Sequence, residues 1–468
     1  MDRNHPRTSH TPAAPALLLV ALAAGCHSYE PAPLDPAAHR AAWLGRELDG
    51  ATLAAFVERL DARVDVEGFD AADGLSLPEG QLVALVHSPA LRLARLRVAR
   101  AAAGAAQAGR WADPRFDLEL LHVTDDVPEP WVITPSLAFT LPLSGSPGAA
   151  RDLAEAERRA SEGALREAEW GVWRDVRAVW IAWSAARLRA AETEALVERM
   201  QSLVSTATAL AEQGEVPRAE ASLLLVERSG LQNRLRRLVG EAAALEAELR
   251  VLLGLAPSAS VELVPTLAPP DDAAHALPGV DALAARNPAL ARLRLEHEVS
   301  ERALRLEVRR QYPDLTLGPL FESDQGQSRV GLLGGVPIPF LNANRRAIAE
   351  ASVARELARA EVETGFERLV GRWAAATARA GALAGQLDDL ERVLVPLVDR
   401  QLEEALALMR LGEGASTLVL LQSLQRAYQT KLELIDTRAD EAVARTEVAF
   451  LIGPEPAEDD HDSAEVRR

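Results

Sequence analysis

Ser88-Pro89-Ala90-Leu91 returns 199 residues later as Asn287-Pro288-Ala289-Leu290. Other landmarks keep the same spacing. Pro114 returns as Pro313 and Gly254 as Gly453, both at 199; Trp173 returns as Trp373 at 200, and Gly214-Glu215 as Gly412-Glu413 at 198. Two segments of about 200 residues therefore share one architecture, a period too long for a solenoid repeat. The reading is of two fused copies of one unit.

Between these landmarks the pattern is helical and long. Val362, Phe366, Leu369, Trp373, Ala376, Ala380, Leu383, Leu387, Leu390, Leu394 and Leu397 step by four and three without a break, the coiled-coil period. The first half carries a shorter copy in Trp173, Val176, Trp180 and Trp183, interrupted at Arg187, with Ala186 and Ala190 available to carry the stripe past it. A helix of about 65 residues is about 100 Å long. Pro396 is expected to kink the second one or to mark a change in packing. Helices are expected at about 79–110, 146–213, 217–255, 281–311, 343–411 and 415–452.

Two strand pairs interrupt the helices. In 115–122, Phe116, Leu118 and Leu120 alternate with Asp117 and Glu119; in 136–143, Leu137, Phe139, Leu141 and Leu143 alternate with small polar residues. In the second half Leu315, Leu317 and Phe321 alternate with Thr316 and Glu322, and Val330, Leu332, Val336, Ile338 and Phe340 follow. Each strand is long enough to cross a bilayer at a tilt, and Trp111, Trp131 and Tyr312 stand near strand ends, where interface aromatics belong. Four amphipathic strands cannot close on themselves, and open edges are not tolerated in lipid. Either the strands form a soluble sandwich or several chains pool them. Three chains would supply twelve strands, within the range of known barrels.

Bulk composition narrows the function classes. A net charge of −18 argues against nucleic acid as a partner. Nine scattered histidines, with no pair at ligand spacing on one helix face and one cysteine in the whole chain, point to no metal site. Gly331-Leu332-Leu333-Gly334-Gly335 lies in a strand and lacks the Lys-Ser/Thr of a phosphate loop. Trp170, Trp173, Trp180 and Trp183 fit a packed seam better than a ligand box. No nucleophile has a recognisable partner, so no catalytic residue and no cofactor is expected. Arg3 and Arg7, the apolar run Ala16–Leu22, and Ala23-Ala24-Gly25 before Cys26 describe a secretory signal peptide, 1–25. The small residues before Cys26 resemble a lipoprotein signal whose thiol is acylated, although Ala23 stands where Leu is usual.

These features together resemble the TolC-like outer-membrane efflux family over about residues 80–453. The N/S-P-x-L helix starts, the Pro-marked steps Trp111-Ala112-Asp113-Pro114 and Gln311-Tyr312-Pro313-Asp314, and the pairing of Pro396 with Gly412 carry the likeness. Val336-Pro337-Ile338-Pro339-Phe340-Leu341-Asn342-Ala343-Asn344 is similar to the heavy-metal branch, which usually has Gly where Arg346 stands. The resemblance implies a mainly α fold with a small β part. Long coiled-coil hairpins and four transmembrane strands per chain would assemble as a homotrimer, a 12-stranded β-barrel on an α-helical barrel. The implied segments are a lipidated equatorial region at 26–78, repeats at 79–255 and 281–453, a linker at 256–280 and an acidic tail at 454–468. The implied function is a passive exit duct for small solutes, metal cations among them. An inner-membrane pump of the resistance–nodulation–division class and a periplasmic adaptor, or membrane fusion protein, would deliver them. Two sites follow: Cys26 as the anchor in outer-membrane lipid, and the hairpin tips Gly214, Glu215, Gly412, Glu413 and Gly414. The tips would meet the adaptor and surround the entrance, where carboxylates favour cations; alternatively, Glu215 and Glu413 simply begin the next helix. The competing reading is a periplasmic lipoprotein scaffold of helical hairpins without a pore.

Overall fold

The computed structural model describes residues 28–46, 48, 74–270, 279–324, 326–411 and 417–454. Cys26, Gly412, Glu413 and Gly414 lie outside the described residues. The chain divides into two compact units, Met1–Arg46 and Glu47–Arg468. In the first, α1 (Pro36–Leu44) starts where the Asp35 carboxylate accepts the N–H groups of Ala37 and Ala38 at 3.1 and 2.9 Å, with Pro36 in the first turn.

The second unit repeats one order of elements twice. The first pass is α2 (Leu77–His87), α3 (Pro89–Gln107), β1 (Arg115–His122), β2 (Trp131–Leu141), α4 (Ser146–Gln213) and α5 (Arg218–Leu252). The second is α6 (Val280–Arg286), α7 (Pro288–Arg309), β3 (Leu315–Asp324), β4 (Gln327–Gly335), α8 (Arg345–Asp389), a π turn (Leu390–Leu394), α9 (Val395–Leu411) and α10 (Thr417–Ile452).

The landmarks that revealed the duplication are one physical device used twice. Helix α5 ends with Gly254 at φ +74°, where its N–H donates to the Val251 carbonyl at 2.9 Å and the Leu255 N–H reaches the Arg250 carbonyl at 2.8 Å. This left-handed cap satisfies carbonyls that the helix leaves open. The Gly254 backbone then lies against the last residue of α2, so close that a Cβ there would sit 2.2 Å from the His87 carbonyl oxygen. Gly453, at φ +93°, meets the Arg286 carbonyl in the same way, at 2.4 Å. The Ser-Pro and Asn-Pro steps that follow are helix breaks, because proline has no N–H to extend α2 or α6. Asn287 caps α7, accepting the Leu290 N–H at 2.9 Å, and donates to the Leu451 carbonyl at 2.8 Å. The helices expected as single runs at 79–110 and 281–311 are therefore each broken in two.

The core follows the tryptophans. Trp180 is fully buried among Leu75, Val83, Val176, Leu249, Leu253 and Leu263, and its indole N–H donates to the Val264 carbonyl at 3.0 Å. Residues 256–270, read from sequence as the start of a linker, are packed along α4. Leu75 and Leu263 form a parallel bridge, and the Thr266 N–H donates to the Ser184 hydroxyl at 3.0 Å. Ala186 and Ala190 are buried and Arg187 is exposed, so small residues do carry the α4 stripe past the arginine. Lower down, Met200, Val204, Leu224, Leu421 and Tyr428 make a second cluster joining α4, α5 and α10. The two long helices differ in one respect: buried residues run along α4, whereas in α8 Leu369 is the buried one. The α8 seam is half open.

Candidate functional site: a sheet with two free edges above two helical hairpins

The four strands form one antiparallel sheet in the order β1-β2-β3-β4. The register aligns the side chains. Phe116 lies opposite Leu137, Leu118 opposite Pro135, and Leu120 opposite Ile133; Phe139 lies opposite Leu317, and Pro319 opposite Leu332, Phe321 opposite Val330. Successive strands thus place their apolar residues on one face, as a strand period of two requires. The face is not covered: Phe116 is 65% exposed, Leu332 74% and Val330 84%. The opposite face carries Asp117, Glu119, Thr134, Ser136, Glu322 and Arg329, with Arg329 paired to Glu322 across the β3–β4 hairpin at 2.5 Å.

Strands of 8 to 11 residues run about 26–36 Å, enough to span a hydrocarbon layer at a tilt. Aromatics mark both ends. Trp131 packs edge-on against His122, with ring centres 4.8 Å apart, at the hairpin end; Trp111 and Tyr312 stand exposed before β1 and β3 at the other. At the β2–β3 junction Gly318 lets the strands close: a Cβ would sit 1.6 Å from the Leu137 carbonyl oxygen. Among the described residues β1 and β4 each have one strand neighbour, so both edges present unpaired backbone groups. Two expectations change here. Strand β2 begins at Trp131 rather than Ser136. Strand β4 ends at Gly335, because Pro337 and Pro339 cannot donate to a ladder; Val336, Ile338 and Phe340 are exposed outside it.

The chain re-enters the helical part through matched turns. Gly145 caps α4 at φ +71° and Asn344, 199 residues on, caps α8 at φ +54°. Asn344 tolerates that conformation better than most side chains, and its amide donates to the Glu307 carbonyl at 2.9 Å and to the Glu307 carboxylate at 2.7 Å. The equal offset of Gly145 and Asn344 was a signal in the sequence that the landmark reading passed over.

At the far end α4 closes on Gly214, φ +79°, with the Glu215 N–H donating to the Leu210 carbonyl at 3.0 Å. Glu215 is exposed and sits in the turn; the acidic residue in the first turn of α5 is Glu220. Its carboxylate therefore does not sit early in the next helix. The Trp tetrad forms no ligand box. Trp170 stacks on Trp173 at 4.3 Å and donates to the Phe450 carbonyl at 2.8 Å, joining the two repeats. Among the described residues there is no cluster of three potential metal ligands, and no helix is long and apolar enough to cross a membrane. On α4, burial raises the pKa of the Glu169 carboxyl against the pull of Arg95 and Arg166.

Residues 83–254 match the family model of the outer membrane efflux protein. The structural likeness extends over both repeats. A membrane protein from Pseudomonas aeruginosa superposes with a TM-score of 0.70 at 18% identity, covering 84% of this chain and 93% of that one. The chain carries the TolC-like outer-membrane efflux fold. CusC, whose crystal structures concern folding and transmembrane channel formation, gives 0.69 at 16% identity over 81% of this chain and 92% of its own. The Campylobacter jejuni outer membrane channel CmeC gives 0.68 at 14%, over 84% and 89%. No curated protein matches the sequence.

Proposed function

We propose that this chain is the outer-membrane exit duct of a tripartite efflux system, working as a homotrimer. The observation that carries the reading is the sheet, apolar and uncovered on one face, polar on the other, and open at β1 and β4. Lipid does not tolerate open strand edges, so β4 of one copy pairs with β1 of the next, and three copies close a twelve-stranded barrel. The face bearing Asp117, Glu119, Glu322 and Arg329 then lines the lumen. The helices continue the tube into the periplasm, and the half-open α8 seam packs against a neighbour. The scaffold reading requires the strands to be covered by the chain's own helices, and they are not.

An adaptor protein and an inner-membrane pump of the resistance–nodulation–division class supply the cargo and the energy; this chain does no chemistry. The tips at Gly214, Glu215, Gly412, Glu413 and Gly414 meet the adaptor at the entrance. Two carboxylates per chain make six per trimer, which favours cations, and the Asn342-Ala343-Asn344 stretch agrees with a metal-exporting branch. Cys26, acylated, holds the N-terminus to the outer membrane; several acyl chains anchor where one would be marginal. The test is native mass and conductance of the protein extracted from outer membranes in detergent and placed in a planar bilayer. A trimer mass with stepwise, cation-preferring current supports the duct. A water-soluble monomer without current refutes it.

A further inference from the structure

Two links lead from the sheet back to the long helices, and they differ. Residues 142–145 join β2 to α4, whereas residues 336–344 join β4 to α8. The first is less than half as long, so the connection itself does not require the extra residues. Val336, Ile338, Phe340 and Leu341 in the longer link are exposed, the last three at 78, 75 and 80%. Pro337 and Pro339 keep them out of a ladder, and the Phe340 N–H donates back to the Ile338 carbonyl at 3.0 Å. The link is held at its base. Ala343 and Asn344 take φ of +45° and +54°, a conformation that non-glycine residues keep only where neighbours hold them. Here the Asn344 amide reaches Glu307 of α7 at 2.9 and 2.7 Å, and the Arg345 N–H donates to the Asn342 carbonyl at 3.0 Å. The apolar residues thus project from an anchored turn, and in water such a cluster is disfavoured.

The register brings four links to one end of the sheet. Arg115 lies opposite Ala138, Leu141 opposite Leu315, and Thr316 opposite Gly335, so the chain before β1, after β2, before β3 and after β4 leaves there together. Trp111, Leu143 and Tyr312 stand exposed in those links. Arginines accompany them. No acidic residue occurs between Asp324 and Glu350, in a chain of net charge −18, while Arg345 and Arg346 follow the apolar run closely. The Asn344–Glu307 contact sets the start of α8 beside the end of α7, at Arg309 and Arg310. Arg310 is paired with Glu307 at 2.5 Å and Arg346 with Glu350 at 2.9 Å; Arg309 and Arg345 are exposed and hold no ion pair among the described residues. Asp113 and Asp314 share these links, and Asp314 accepts the Ser144 hydroxyl at 3.3 Å. At the opposite end of the sheet the β1–β2 hairpin exposes Asp125, Asp126 and Glu129.

An apolar lip followed by cations suits the boundary of a phospholipid layer: apolar side chains lie among the acyl chains, and guanidinium groups meet the phosphates. We infer that residues 336–346, together with Arg309, form a docking site for anionic phospholipid at this end of the sheet. Ile338, Phe340 and Leu341 enter the acyl region, and Arg309, Arg345 and Arg346 take the headgroup phosphates. The acidic hairpin end repels the same headgroups. The site rests on the membrane location in the duct reading, and the test separates the two.

The test uses the full chain with Cys26→Ser and a spin label at Ile338→Cys, in vesicles of equal parts phosphatidylcholine and phosphatidylglycerol, with a water-soluble nickel chelate on both sides of the bilayer. The label is expected to collide with oxygen and to be shielded from nickel, the reverse of a label at Asp126→Cys. Access of nickel to position 338 overturns the proposal. So does shielding from both reagents, which would mean that a neighbouring copy covers the lip. The detergent-extracted chain, titrated with each lipid and read by native mass, is expected to retain phosphatidylglycerol over phosphatidylcholine. Arg309→Gln with Arg345→Gln and Arg346→Gln is expected to lower that preference by at least about fivefold, the weight of one arginine near an anionic surface. Arg97→Gln with Arg100→Gln, exposed on α3, is expected to leave it unchanged. No loss in the first variant, or an equal loss in both, overturns the headgroup site. A trimer that conducts but leaves 338 in water keeps the duct and loses the lip. A chain that buries 338 in lipid but conducts no current keeps the lip and loses the duct.

Discussion

The paired glycines after α5 and α10 allow a quantitative test of how the repeats are built. Gly214 at +79°, Gly254 at +74° and Gly453 at +93° hold left-handed backbone after α4, α5 and α10. An alanine in that conformation costs about 1–2 kcal/mol at any of them. The surroundings then separate the sites. At Gly214 a Cβ meets nothing within 4 Å; at Gly254 and Gly453 it would sit 2.2 and 2.4 Å from main-chain oxygens of His87 and Arg286. Those carbonyls must retreat by about 1 Å, and strain of this kind costs a further ~1–3 kcal/mol. Gly214→Ala is therefore expected to cost about 1–2 kcal/mol, and Gly254→Ala or Gly453→Ala about 2–5 kcal/mol. Intrinsic tryptophan fluorescence during heating reads the order of the three midpoints in one detergent. Equal shifts for all three would refute the claim that close approach to the α2 and α6 ends, rather than backbone conformation alone, explains these glycines.

Four further expectations share this reasoning. Trp180→Ala removes a fully buried indole and its bond to the Val264 carbonyl, and should destabilise by roughly 3–5 kcal/mol in the same melt. Gly318→Ala drives a methyl into the Leu137 carbonyl, so it should abolish the trimer proposed above while leaving far-ultraviolet helicity nearly intact. Burial raises the pKa of Glu169 in the folded chain, so folding binds its proton first. Stability therefore rises as pH falls through that raised value, and Glu169→Gln should flatten this part of the stability–pH curve. Cys26→Ser should end incorporation of labelled palmitate without changing the oligomer's mass.

Much of this fold is written in local pattern. The seam through Trp173, Val176 and Trp180, carried past Arg187 by Ala186 and Ala190, made α4 legible as one long helix, and it runs Ser146–Gln213. Strand faces were legible because Phe116, Leu118 and Leu120 alternate with Asp117 and Glu119. The errors came from backbone chemistry that apolar periodicity does not record. Pro337 and Pro339 end β4 although the alternation of Val336, Ile338 and Phe340 continues past them. Ser88-Pro89 splits a helix whose apolar spacing runs on. The change expected at Pro396 takes the form of the π turn at Leu390–Leu394 just before it, a form that apolar spacing does not specify. The packing of residues 256–270 along α4 was hidden because five prolines in 256–280 read as a linker, while the partners that hold it, Ser184 and Trp180, lie 80 residues away. Of the candidate site, the sheet and the Gly214 turn were visible; Arg329 facing Glu322 needed the register.

The central claim is that β1 and β4 are not edges in the working molecule. Single cysteines at Phe116 on β1 and Leu332 on β4, in a Cys26→Ser chain treated in the outer membrane with a short bis-maleimide, test it directly. The account predicts a covalent ladder that ends at three copies and disappears when either cysteine is omitted. A product that stays a single chain, or one that joins the two positions within one copy, would contradict it.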